Sequence, residues 1–130
     1  MSSIFSKIIN GEIPSYKVAE NDDFFAFLDI NPNAKGHTLV VPKKEVDKLF
    51  DLDEETYKNL MLFSRRLALA LEKSIACKRV GMSVIGLEVP HVHVHLIPLQ
   101  EMKDATFSSK VSLTDKEFQE IAQKIQANFI

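Results

Sequence analysis

The run His91-Val92-His93-Val94-His95-Leu96-Ile97 constrains this chain more than any other stretch. A period of two is the mark of a β-strand, whose successive side chains point to opposite faces. Val92, Val94 and Leu96 then share one face and must point into a core. The three histidines share the other face, spaced by ~6.5 Å along the strand. The chain has only four histidines in 130 residues, so three of them line one short row. The fourth, His37, opens another predicted strand, which the fold can bring alongside.

The other elements follow from the same periodicities. Residues 3–10 read as a short helix capped by Ser2 or Ser3, with Phe5, Ile8 and Ile9 on its apolar side. Residues 16–20 and 24–29 form a predicted hairpin around Glu20-Asn21-Asp22-Asp23, and 37–41 a third strand stopped by Pro42. Residues 52–76 form a long helix whose face carries Tyr57, Leu60, Met61, Ser64, Leu67, Ala68, Leu71 and Ile75. Leu62, Phe63 and Leu69 fall off that face and suggest a second buried surface against another subunit. Strands are expected over 79–85 and 91–97, and a last helix over 115–129. Thr114 and Glu117 form its capping box, with Leu113 and Phe118 placed as a hydrophobic staple. About five strands with helices in series, without βαβ alternation, argue an α+β fold with a mostly antiparallel sheet. No repeat, linker or low-complexity stretch divides residues 1–130, which read as a single domain.

Composition narrows the function. Eighteen acids against 16 bases give a net charge of −2, so nothing suggests a nucleic-acid binder. The single Cys77 excludes a disulfide framework or Cys-rich metal cluster. No apolar run approaches a membrane span. The N-terminus is too polar and interrupted for a signal peptide, which points to the cytoplasm.

A plain exposed strand prefers Thr, Lys or Glu over imidazole, so three alternating histidines argue chemistry. In one reading they hold metal. Two neighbours can share a zinc ion, but three same-face positions span roughly 13 Å, so a third ligand must come from His37 or a carboxylate. In the other, one imidazole is a nucleophile toward phosphorus and its neighbours manage protons. His93, flanked on both sides, is the natural nucleophile.

HVHVHLI resembles the histidine-triad motif, His-φ-His-φ-His-φ-φ, at every position. FSKIINGEIPSYKVAENDDFFAFLDINPNAKGHTLVVPKK resembles the N-terminal half of the Hint-like branch of that superfamily. The similarity covers residues 4–98, and 99–130 read as a C-terminal helical extension. The resemblance implies a five-stranded antiparallel sheet with a long helix. It also implies a homodimer and hydrolysis or transfer of a purine nucleotide at its α-phosphorus through a nucleotidyl-histidine. Nucleoside phosphoramidates or dinucleoside polyphosphates would be the substrates, with no metal or other cofactor required. By position, His93 falls on the nucleophile, His95 on a phosphate-contacting histidine, and His91 and His37 on supporting histidines. Asp29 falls on the carboxylate that holds the ribose hydroxyls. Phe5, Ile8, Phe27, Leu28 and Ile30 fall on the walls of the base pocket.

One stretch departs from the pattern. Where the family has Asn, then Gly-Gln and Ser or Thr before the triad, this chain has Ile85, Leu87 and Glu88. Two neutral donors are absent, leaving backbone N–H groups from Gly86 to Val89 for phosphate. Glu88 then faces either solvent or a cationic leaving group. The alternatives are a zinc-dependent hydrolase using triad histidines and a nucleotide-binding protein with little turnover.

Overall fold

A computed structural model describes residues 2–130. Five strands form one sheet: β1 (Lys17–Glu20), β2 (Phe24–Leu28), β3 (Thr38–Pro42), β4 (Arg79–Ser83) and β5 (Val94–Leu99). They lie in the order β1-β2-β3-β5-β4, and every neighbouring pair is antiparallel. Three helices complete the α+β fold: α1 (Ile4–Ile9), α2 (Glu54–Ser74) and α3 (Asp115–Asn128). Among the described residues no helix is long and apolar enough to cross a membrane.

Local chemistry sets the ends of these elements. Asn21 Oδ1 accepts from the Asp23 and Phe24 amides and closes the β1–β2 turn. Asp53 accepts from Thr56 N–H and caps α2. Thr114 and Glu117 form the expected reciprocal box at α3. Two short 3-10 turns, Leu49–Asp51 and Met102–Ala105, were not expected.

The sheet separates two apolar clusters. Behind it, Leu60, Leu67 and Leu71 of α2 and Phe118, Ile121 and Ile125 of α3 pack on Ala26, Leu28, Val40, Val94 and Leu96. Each fully buried Leu there contributes roughly 1.5–3 kcal/mol. In front, Phe5 of α1 packs with Phe25, Phe27, Leu39 and Val41.

Three expectations need correction. Phe63 is buried in the rear core, so the surplus apolar surface of α2 reduces to Leu62 and Leu69. Tyr57, placed on the core face by periodicity, is exposed. The ladder of β5 starts at Val94, not His91: Val94, opposite Val40, is its first residue paired with β3, and β4 ends at Ser83, opposite His95. The preceding residues bond elsewhere: Val92 N–H donates to Val46 C=O at 2.8 Å and His91 N–H to Val89 C=O at 2.8 Å. The alternation survives this change, since Val92 still lies in the rear core.

Candidate active site

His93 stands in front of the sheet, its ring 4.9 Å from Phe5 and 5.0 Å from His95 between centroids. Its Nδ1 lies 2.8 Å from the His91 carbonyl oxygen. A carbonyl only accepts, so Nδ1 carries the proton and, in the neutral ring, Nε2 is left with a free lone pair. The backbone before β5 thereby fixes the tautomer of this imidazole.

His37 and His95 form a second unit. Gly36, with φ of 92°, passes where a Cβ would stand 2.9 Å from Ile75 and 3.2 Å from Pro98. That close approach delivers His37 to the head of β3. Asn33 N–H donates to His37 Nδ1 at 3.0 Å, so the ring proton sits on Nε2. His37 Nε2–H in turn donates to His95 Nδ1 at 3.0 Å. This leaves His95 with its own proton on Nε2, directed away from His37. Burial, joined by the neighbouring imidazoles and Lys110, pushes His37 down to about 3 and His95 down to about 4. Both rings are therefore neutral near pH 7, and His95 presents a neutral N–H donor rather than an imidazolium acid.

His91 supports the others. Its Nε2 donates to Pro42 C=O at 2.7 Å, and its Nδ1 accepts from the Ser3 hydroxyl at 2.6 Å. Ser3 is also the cap of α1, its Oγ accepting from Ser6 N–H at 3.1 Å. Glu45 holds the same helix start, accepting from Ser3 N–H at 2.6 Å and from Ser6 Oγ at 2.7 Å. Burial lowers the His91 pKa, opposed by the Pro42 carbonyl and Glu45.

Asp29 lies beside this group. One carboxylate oxygen accepts from Asn31 N–H at 2.9 Å, and the other is 3.6 Å from His37 Nε2. Burial raises its pKa, against the pull of Asn31 N–H, Lys110 and His93. Of the expected pocket walls, Phe5, Ile8 and Phe27 come together in the front cluster, and Val89, expected as a backbone phosphate donor, packs against it. Leu28 does not: strand alternation turns it into the rear core. Ile30 is 73% exposed and packs into neither cluster. Glu88 is exposed, as are Ile85 and, at 90%, Leu87.

The HIT domain model matches residues 10–102, the greater part of the chain and all four histidines. The chain belongs to the HIT domain family. Adenosine 5'-monophosphoramidase HNT1 of Saccharomyces cerevisiae is 42% identical over 101 residues, covering 77% of this chain and 64% of that protein. An uncharacterized HIT-like protein of Borreliella burgdorferi is 36% identical over 134 residues, covering 96% of each chain. Among solved structures, a HIT-like protein of Bartonella henselae described as involved in cell-cycle regulation superimposes with a TM-score of 0.85. It is 35% identical, covering 98% of this chain and 96% of that one. A zinc-bound histidine triad protein of Mycobacterium smegmatis superimposes with a TM-score of 0.83 at 27% identity, covering 99% and 94%.

Within this HIT site, several contributors escape sequence reasoning. Ser3 reads as a cap and gives no hint of His91. Ser83 pairs with His95 across the β4–β5 ladder, so the two side chains share a face. Its Oγ is buried without a hydrogen-bond partner. The side chain on the triad's face at the level of His95 is thus Ser83, two residues before Ile85. Phe107 and Lys110 of the extension also reach the site, with the Phe107 ring 4.8 Å from His95. The donors that converge as metal ligands would are Asp29, His37 and His95, all within 4.8 Å of one another. That set differs from the pair of triad histidines weighed from sequence.

Proposed function

We propose that this HIT protein hydrolyses or transfers purine nucleotides at the α-phosphorus, in the cytoplasm and without a required metal, through a nucleotidyl-His93 intermediate. The observation that carries the reading is the His93 Nδ1–H bond to the His91 carbonyl, which leaves Nε2 free to attack. The Nε2 lone pair forms the P–N bond. The bond to the amine or nucleotide leaving group breaks, and its electron pair departs with that group, which takes up a proton from solvent. The positive charge that develops on the ring faces the His91 carbonyl. Water then attacks phosphorus and gives up a proton to solvent, the P–Nε2 pair returns to the ring, and a nucleoside monophosphate is released.

The other residues act on the same intermediate. His95 Nε2–H donates to a phosphoryl oxygen, and the Ser83 hydroxyl supplies a second donor in place of the polar side chains absent at Leu87 and Glu88. Asp29 accepts from the ribose hydroxyls. Glu88, exposed and next in sequence to Val89 of the front cluster, selects a cationic amine over an anionic leaving group. The name of the yeast relative, a monophosphoramidase, supports a phosphoramidate substrate. Two copies associate through the exposed Leu62 and Leu69 of α2 and the edge strand β4 with Met82.

The test is mass spectrometry of enzyme quenched during turnover of adenosine 5'-phosphoramidate. One nucleoside monophosphate on His93 is expected, and its loss in His93→Ala with AMP binding retained. AMP binding without adduct or product would identify a binding protein instead. A second reading, zinc-dependent hydrolysis, is favoured by the convergence of Asp29, His37 and His95. Stoichiometric zinc, with activity lost to a chelator and restored by metal, would establish it.

A further inference from the structure

Residues 102–111 have no part in the chemistry above, yet they are built into its site. Phe107 is the one non-glycine residue with positive φ among the described residues, at 64°. A bulky side chain persists in that conformation only where its surroundings hold it. Four hydrogen bonds do so. Asn33 Nδ2 donates to Asp104 C=O at 3.0 Å, and Val111 N–H donates to Pro32 C=O at 3.0 Å. The Lys110 ammonium donates to Asn31 C=O at 3.1 Å and to Asn33 Oδ1 at 2.8 Å. It also lies 5.2 Å over the Phe107 ring.

The result is an aromatic wall. Phe107 meets His95 edge-on at 4.8 Å and His37 at 6.0 Å. Asn33, itself buried, joins wall and site. Its side chain is held at one end by Asp104 and at the other by Lys110, while its backbone N–H occupies His37 Nδ1.

We propose that Phe107 and Lys110 are positioning residues for the His37–His95 pair: the ring seals the pair from water, and the lysine, through Asn33, holds the N–H that fixes its direction. This rests on the reading of His95 as the phosphoryl donor. A wet pair exchanges its internal hydrogen bond for solvent, and its tautomers interconvert. A sealed pair keeps His95 Nε2–H aimed outward. The charged or titratable groups facing the pair are Asp29, Lys110 and His93. Burial comes first among the causes that hold both imidazoles neutral.

Phe107→Gly removes the ring and also relieves the strained backbone, so the fold is retained. Lys110→Met removes the ammonium and keeps the stem. The ring nitrogen signals of His37 and His95 are read by NMR at pH 7.5, with the exchange of their N–H protons with water, alongside kcat and AMP affinity. In the wild type each ring is expected to show one tautomer and slow exchange. In Phe107→Gly both rings are expected to show mixed tautomers and fast exchange. Both variants should lose ~10–100-fold in kcat, with AMP affinity within about twofold, because only proton placement changes. Unchanged exchange and tautomers in Phe107→Gly overturn the seal, and unchanged kcat in both variants overturns the positioning role. Faster exchange in a protein that never forms the His93 adduct would fault the reaction while leaving the seal standing.

Discussion

Removing the Ser3 hydroxyl tests how far the triad depends on the first turn of the chain. That oxygen does two jobs. It caps α1 through Ser6 N–H, and it donates to His91 Nδ1 at 2.6 Å in a buried setting. Loss of a cap to alanine costs ~1 kcal/mol, whereas replacing serine by glycine costs only a few tenths. A buried imidazole nitrogen left without its donor costs ~1–3 kcal/mol. Ser3→Ala should therefore destabilise by roughly 2–4 kcal/mol, and Ser3→Gly by roughly 1–3 kcal/mol. The difference between the two variants isolates the cap, and what remains in Ser3→Gly belongs to His91. Both keep the backbone N–H that donates to Glu45. Urea denaturation at pH 7.5 with a common m-value gives the numbers. Ser3→Gly losing only a few tenths of a kcal/mol would show that His91 does not rely on this contact.

Acid should weaken the fold early. His37 and His95 titrate near 3 and 4 when folded, against ~6.5 when unfolded, so stability is full above pH 6.5 and falls as pH drops toward 4. The loss by pH 5 is on the order of 2 kcal/mol per histidine held neutral. Asp29, raised by burial, acts with the opposite sign at lower pH. Urea midpoints that are equal at pH 7 and pH 5 would contradict the burial of the pair. Asp29→Asn should weaken AMP binding about tenfold or more, since the amide accepts one fewer strong hydrogen bond from the ribose; calorimetry reads this directly, and unchanged affinity removes Asp29 from the ribose site. The dimer should separate in Leu62→Glu combined with Leu69→Glu, because charge is excluded from apolar interfaces. Light scattering that shows a monomer already in the wild type would end the dimer proposal.

The sequence made the sheet, the helices and all four histidines legible because each rests on local periodicity. HVHVHLI alternates whatever lies beside it, and Thr114 with Glu117 is a cap that needs no tertiary partner. What stayed hidden depends on distance in the chain. Ser83 opposite His95 is a matter of register across a loop whose course no local signal sets. Lys110 bonds Asn31 and Asn33, 79 and 77 positions away, Phe107 packs on His37 of the other half of the chain, and a phenylalanine at positive φ is a place where local preference gives way to the fold. Leu28 shows the opposite error: it resembles a pocket wall by position, but one step along a strand changes the face.

The linked imidazoles of His37 and His95 have an electrical consequence. Each donor points the same way, from Asn33 outward, so two neutral rings add their moments into one dipole with its positive end at His95 Nε2. Such a dipole attracts an anion without a net charge, in a protein whose own charge is −2. It is local, partly buried and little affected by mobile ions. Nucleotide affinity should accordingly vary little with ionic strength, unlike that of a phosphate site assembled from exposed lysines.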